Sequence, residues 1–266
     1  VQLTHWRTVR LLLSYLGLFL NIPFAIAGIP QFKDITDWMR GVKESTLVRE
    51  YAFFPTGKIY IQNGRGDIKI KGWSLPKIAL QAVIRSSVPT QWLLDLEYYE
   101  NELHINTTLA PSTIISVDLQ LMVPHASSLT IQAQEGNIAL KKLESPMHIV
   151  AHSGAISIKN SSESIKAYAS EEVYVQFDIV PVHCVCELSS ANDAIRLSLP
   201  QSSHANIQAT TTTNAIYCDH FITLSPRTLR LNKHTWKEMQ RNIHALIGNG
   251  GATIKLSAYK GVHITY

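Results

Sequence analysis

The sequence predicts an all-β protein, a β-solenoid of repeated strand-turn-strand units that is single-stranded β-helix-like in plan. Three observations carry that expectation. Apolar and polar residues alternate in short runs from about Val48 onward, the period of a strand with one buried face. Gly, Asn, Ser and Pro separate the runs, and these are the residues of tight corners. From Ser128 onward the runs also resemble one another at a nearly constant spacing, which is the mark of a stacked-repeat architecture.

Taken in chain order, the first element is a leader. His5, Arg7 and Arg10 form a basic start, Leu11 to Phe24 an apolar run, and Ala25-Ile26-Ala27 a small-residue site before Gly28. This is the pattern of a cleaved secretory signal peptide covering residues 1–27. Asn21 and Pro23 interrupt the apolar run, which falls short of the ~20 residues of a spanning helix. A polar segment, 28–47, follows, and 48–266 is then expected to be a single solenoid domain.

That domain opens with Lys58-Ile-Tyr-Ile-Gln-Asn-Gly-Arg-Gly-Asp-Ile-Lys-Ile70, followed by longer strands at Lys77 to Arg85, Leu103 to Thr108 and Ile114 to Val123. The clearest copies are Leu129 to Leu140 and Met147 to Ile158, each a strand, a polar corner with Gly, and a second strand. Weaker copies run from Ser164 to Val175, Val182 to Leu197, Asn206 to Cys218 and Ala252 to Ile264. The second-strand anchors Ile138, Ile156, Val173, Ile195 and Ile216 lie 18, 17, 22 and 21 residues apart. Read in sequence order, the Ala252 unit comes last and is expected to cap the stack. Arg227 to Ile247 has the local period of a helix, with Trp236, Met239, Ile243 and Leu246 on one face, and the repeat context favours strands instead.

One unit cannot fold alone. It buries about four apolar side chains at ~1.5–3 kcal/mol each, against ~1–2 kcal/mol of backbone ordering for every residue it contains. Stacking shares the core and the backbone ladders among neighbours. Three residues before each anchor stand Glu135, Ser153, Ser170, Asn192 and Thr213, a polar column expected to satisfy the corner backbone.

The runs Gln62 to Trp73, Gln134-Glu-Gly-Asn-Ile-Ala-Leu140, His152-Ser-Gly-Ala-Ile-Ser-Ile158 and Leu246 to Leu256 resemble the bacterial "putative adhesin" family of β-solenoid, or toast-rack, domains. The resemblance spans roughly Val48 to Tyr266. It implies the fold, a bacterial origin and an exported, adhesin-like protein, and it carries no catalytic residues. Glu171-Glu172, Ala194 and Ala215 depart from the family's corner glycine, which predicts wider turns there.

Candidate sites are few. Arg65-Gly66-Asp67 matches a tripeptide that integrin ligands display, but Gly66 and Asp67 are also what a tight turn before Ile68 requires. His183 and His204 each precede their anchors by twelve residues, so sequential stacking puts them on neighbouring rungs, facing outward, as a weak zinc or copper pair. His148 and His152 share an outer face. No cofactor is implied. Cys184 and Cys186 point to one face, read as the interior with free thiols; a Cys186–Cys218 bridge is the alternative. Lys233, Lys237 and Arg241 offer a polyanion patch.

An enzyme is not expected. Asp178, Glu187, Asp193 and Asp219 fall at unrelated places in their units, whereas glycan cleavage needs paired carboxylates. Gly248-Asn249-Gly250-Gly251 lacks the Lys and Ser/Thr of a phosphate cradle and reads as a turn. The formal charge is +4, or 22 basic minus 20 acidic once Arg7 and Arg10 are removed, too small for a nucleic-acid partner. The sequence therefore points to a non-catalytic scaffold with an extracellular or envelope ligand, glycan or protein, located in the periplasm, at the outer surface or secreted. A carbohydrate-active enzyme on a β-helix and a structural or signalling accessory are the alternatives.

Overall fold

The computed structural model of the chain describes residues 41–88, 95–99, 101–108, 112–220, 222–224 and 241–266. The expected leader lies outside them. The strand-built unit spans Val42–Tyr266, and its first strand starts at Lys43, inside the polar segment 28–47.

The N-terminal part forms β1 (Lys43–Ala52), β2 (Lys58–Arg65), β3 (Ile68–Trp73), β4 (Lys77–Ser86), β5 (Asp95–Tyr99), β6 (Glu102–Asn106) and β7 (Ile114–Pro124). A regular succession follows: β8 (Ser128–Glu135), β9 (Ile138–Leu143), β10 (Met147–Ala151), β11 (Ile156–Ser161), β12 (Ile165–Ala169), β13 (Val173–Phe177), β14 (Val185–Ser190) and β15 (Ile195–Ser198). The C-terminal part adds β16 (Ala205–Thr211), β17 (Ile216–Cys218), β18 (Ile222–Leu224), β19 (Asn242–Ile247), β20 (Ala252–Ala258) and β21 (Val262–Thr265). Each unit read from the sequence is thus one pair of strands, and the all-β solenoid is the fold. Asn242–Ile247 is a strand, while 225–240 lies outside the described residues.

Within a pair the two strands belong to different sheets, so each rung crosses the core once. One sheet has the order β1-β4-β7-β3-β9-β11-β13-β15-β21-β17, the other β18-β19-β16-β20-β14-β12-β10-β8-β2-β6-β5. The central strands pair in parallel and in register, with Ile138, Ile156, Val173 and Ile195 in one row. Alternation explains why: in β16 every second residue is buried and the rest face water. Ile59, Ile61, Ile68, Leu103, Leu129 and Ile131 are among the fully buried side chains between the sheets.

The order of rungs is not the order of the chain. The Ala252 unit does not cap the stack: β20 lies between β14 and β16, with Ile254 beside both Cys186 and Ile207. At the other end, β2 lies between β6 and β8. Among the described residues three of the four sheet ends carry antiparallel pairings, whereas the ten-stranded sheet ends at β17, which is parallel to β21. Antiparallel β4 and β1 cover β7, β5 covers β6, and β19 and β18 cover β16. The reversed strands β4, β5 and β19 cover the parallel core at those three ends, where an uncovered edge would be open to pairing with another chain.

The corners are held by two columns. Gly66, Gly136 and Gly154 have φ of +122°, +130° and +146°, and a Cβ on Gly136 would stand 2.2 Å from the Gly66 carbonyl oxygen. Only glycine allows both that backbone and that approach. Beside them runs a ladder of side-chain oxygens: Asp118 Oδ1 accepts the Asp67 N–H at 2.9 Å, Asp67 Oδ1 that of Asn137 at 2.9 Å, and Asn137 Oδ1 that of Ala155 at 3.0 Å. Where the corner glycine is missing, side chains substitute. Ser190 Oγ accepts the Asp193 N–H at 3.1 Å, and Asp193 Oδ1 accepts that of Ala194 at 2.8 Å.

Candidate functional site

The residues singled out in the sequence are mostly engaged in holding the fold. Arg65 donates from Nε and Nη2 to the two Glu135 oxygens on the next rung, at 2.7 and 3.1 Å. The Asp67 carboxylate accepts the Asn137 N–H, and Gly66 packs against the Val117 carbonyl. All three residues of the Arg-Gly-Asp tripeptide therefore have a structural employment in the corner. In the polar column Ser170 Oγ accepts the Gly154 N–H at 3.1 Å, whereas the Gly136 N–H is accepted by the backbone carbonyl of Ser153 at 2.9 Å.

His183 and His204 are not neighbours. Because β20 is inserted between their strands, the register places Gly251 in the row between them, and two strand spacings make about 9.6 Å. The expectation of adjacent imidazoles fails because it assumed sequential stacking. His183 Nε2 lies 3.2 Å from Glu163 Oε1. His204 Nδ1 accepts the Asn249 N–H at 3.0 Å, so it holds the Gly248–Gly251 reversal that leads β19 into β20. Among the described residues no group of three His, Cys, Asp or Glu side chains converges on a metal position. His148 and His152 both face outward; Lys233 and Lys237 lie outside the described residues.

The thiols are free and stored in the interior. Cys184 and Cys186 are buried on the same face, and Cys218 is half-buried. Burial pushes the Cys184 thiol up to about 11 and that of Cys186 well above its usual range. Cys218 is raised as well, again chiefly by burial. Thiols held in the neutral form behave as small apolar groups rather than nucleophiles.

Several of the acidic side chains are paired with cations. Glu187 sits between Lys255 at 3.1 Å and Lys166 at 3.4 Å, and their hydrogen bonds hold its carboxyl below the usual range. Arg65 does the same to Glu135, and Lys58 to Glu102. Lys260 lies 3.2 Å from Asp193, and Arg85 2.6 Å from Asp118. A general acid needs its pKa raised toward neutrality, and these shifts run the other way.

What the sequence reading missed lies three residues after the anchors. Lys71, Lys141 and Lys159 stand in register on β3, β9 and β11, all outward and exposed. Lys69 joins them on the same face of β3. They line a shallow concavity of about 630 Å³ with Gln81, Gln120, Met122 and Ser157. Lys159 Nζ lies 5.4 Å from the centre of the Tyr174 ring. Among the described residues no ion pair engages any of the four.

No family model matches the chain, and no curated protein matches it. Among solved structures it is similar to a "putative cell adhesion protein" from Clostridium sporogenes, at 11% identity over 84% of this chain and 99% of that one, with a TM-score of 0.49. It is also similar to a "putative adhesin" from Bacteroides fragilis, at 10% identity over 83% and 97% of the two chains and a TM-score of 0.34. A third, from Parabacteroides merdae, has 9% identity over 84% and 97%, with a TM-score of 0.33. The fold itself rests on this chain's own strand register.

Proposed function

We propose that the protein is a non-catalytic binding scaffold of the cell envelope or of the secreted fraction, adhesin-like in role, reached through the leader at residues 1–27. The observation that carries this reading is the lysine-lined concavity on the outer face of a rigid two-sheet stack. Strands locked in register give such a surface fixed side-chain rows, which is what recognition of an extended partner needs. The paired, pKa-lowered carboxylates support the non-catalytic part of the reading. Among the described residues no helix is long and apolar enough to cross a membrane.

The test is to present the chain with an array of glycans, envelope polymers and matrix proteins, reading bound protein and the mass of each ligand afterwards. Saturable binding with unchanged ligand masses is the expected result. A shortened or modified ligand would overturn it in favour of a carbohydrate-active enzyme.

A further inference from the structure

We propose that the outer face of the ten-stranded sheet binds an acidic polysaccharide, a glycan with carboxylates or sulfates on successive sugars, its anions resting on the row Lys71–Lys141–Lys159. The proposal deepens the binding-scaffold reading and rests on it.

The row is a consequence of the fold. Parallel strands in register place residues three after each anchor side by side, about 4.8 Å apart, and here three consecutive rungs carry Lys at that place. Lys69 adds a fourth ammonium two residues away on the same strand face. Nothing in the folding of a solenoid asks for like charges abreast, since directly opposed like charges weaken a sheet. The equivalent region of the other sheet alternates its signs, Lys166–Glu187–Lys255. An anionic partner supplies the compensation that the first face lacks.

The surroundings narrow the class of anion. Gln81 and Gln120 continue the neighbouring outward row, and Ser157 faces the same concavity. These amides and hydroxyls offer both donors and acceptors, as sugar hydroxyls require. The spacing of the charges is close to the length of one sugar residue, so a linear polymer can meet successive lysines without bending. Nucleic acid fits less well. Among the described residues the lining holds no aromatic on which a base could stack, and the Tyr174 ring beside Ser157 already carries Lys159 Nζ; the cations are point-like ammonium groups rather than the planar forks that grip phosphate bidentately. A bilayer would ask for exposed apolar anchors around the charges, and of the larger apolar residues in the lining Ile70, Leu80, Leu121 and Leu140 are buried, leaving Val48 and Met122.

The test uses the full chain and immobilised polygalacturonate, with neutral dextran, duplex DNA and anionic phospholipid vesicles as comparisons. The expected result is saturable retention on polygalacturonate that weakens as salt rises, because surface charge contacts are screened. The double variant Lys71→Gln/Lys141→Gln should weaken it about tenfold or more, the scale of losing two charge contacts. Lys166→Gln/Lys255→Gln on the other sheet should leave it unchanged. Thermal unfolding of both variants, expected to stay cooperative and close to the parent, slightly above it for the first and slightly below it for the second, separates lost contacts from lost fold. Equal retention by both variants overturns the assignment of the face. Retention of DNA or vesicles but not of polygalacturonate overturns the ligand class. If neutral glycans or matrix proteins bind while polygalacturonate does not, this proposal falls and the binding-scaffold reading stands; if nothing on the array binds, both fall.

Discussion

The two outer faces of the solenoid are built on the same backbone and use charge in opposite ways. On the eleven-stranded sheet the row Lys166–Glu187–Lys255 is self-neutralising, with one carboxylate shared between two ammonium groups at 3.4 and 3.1 Å. On the ten-stranded sheet the row Lys71–Lys141–Lys159 sets three cations side by side. At about 4.8 Å in bulk water each neighbouring pair repels by ~0.9 kcal/mol before the side chains splay or salt intervenes. The difference teaches that outward rows are free variables. The inward rows of Ile, Leu and Val decide the fold, so the outward ones can be neutralised for stability or left charged for a ligand.

Both rows exist only while the corners keep the rungs in register, and the largest expected effect comes from there. Gly136→Ala would place a Cβ 2.2 Å from the Gly66 carbonyl oxygen at a φ of +130°. Urea unfolding should show a loss of about 3 kcal/mol or more, combining backbone strain with the steric clash. The same variant should weaken polyanion retention although Gly136 belongs to neither face, because the lysine row would lose its alignment. Retention unchanged in a destabilised variant would mean that the lysines act as a loose cluster rather than a row. Asn63→Ala comes next. Asn63 is fully buried, its Nδ2 donates to the carbonyls of Gly66 at 2.7 Å and Val117 at 3.2 Å, and Thr107 donates to its Oδ1. Its removal strands buried acceptors and should lower stability by about 2 kcal/mol, measured by the same unfolding curves.

The strands and their facing were legible because the side-chain period of a strand is two whatever its partner, so anchors such as Ile138 and Ile156 could be counted and do pair. The order of the rungs was not. β20 presents Ile254 and Leu256, and these fit Cys186 and Leu188 on one side as well as Ile207 and Ala209 on the other. Hydrophobic pattern specifies a face and a register, not which neighbour a strand will take. That ambiguity produced the expected contact between His183 and His204. The lysine row was legible and overlooked: counting three residues forward from the anchors, as was done backward for Glu135 and Ser153, reaches Lys71, Lys141 and Lys159. Arg65 and Asp67 could be placed in a turn from sequence, but their partners Glu135 and Asn137 are set by stacking alone.

Converting one face into a copy of the other is the sharper test. Lys141→Glu puts a carboxylate between Lys71 and Lys159, as Glu187 lies between Lys166 and Lys255. Opposite charges across neighbouring strands contribute ~0.2–1 kcal/mol, so the variant should be slightly more stable than the parent while losing polyanion retention. Added salt should offset part of the repulsion in the parent and bring no such gain in the variant. A variant that is less stable than the parent would show that the three lysines do not repel one another.

The smallest expected effect belongs to the neutralised face. Its two lysines hold the Glu187 carboxyl below the ordinary 4.5, the hydrogen bond from Lys255 first and that from Lys166 next. A carboxyl whose folded pKa is depressed contributes stability at pH values above its unfolded pKa, and that contribution is lost as pH falls through the folded value. Urea midpoints of the parent and of Glu187→Gln should therefore differ slightly at neutral pH, with the parent higher, and converge in acid as pH falls through the depressed carboxyl pKa. Lys141→Gln on the other face has no carboxylate to protonate and should show no such convergence. If the Glu187→Gln difference instead persisted unchanged into acid, the shared carboxylate would be acting through packing rather than charge, and the contrast between the faces would no longer be an electrostatic one.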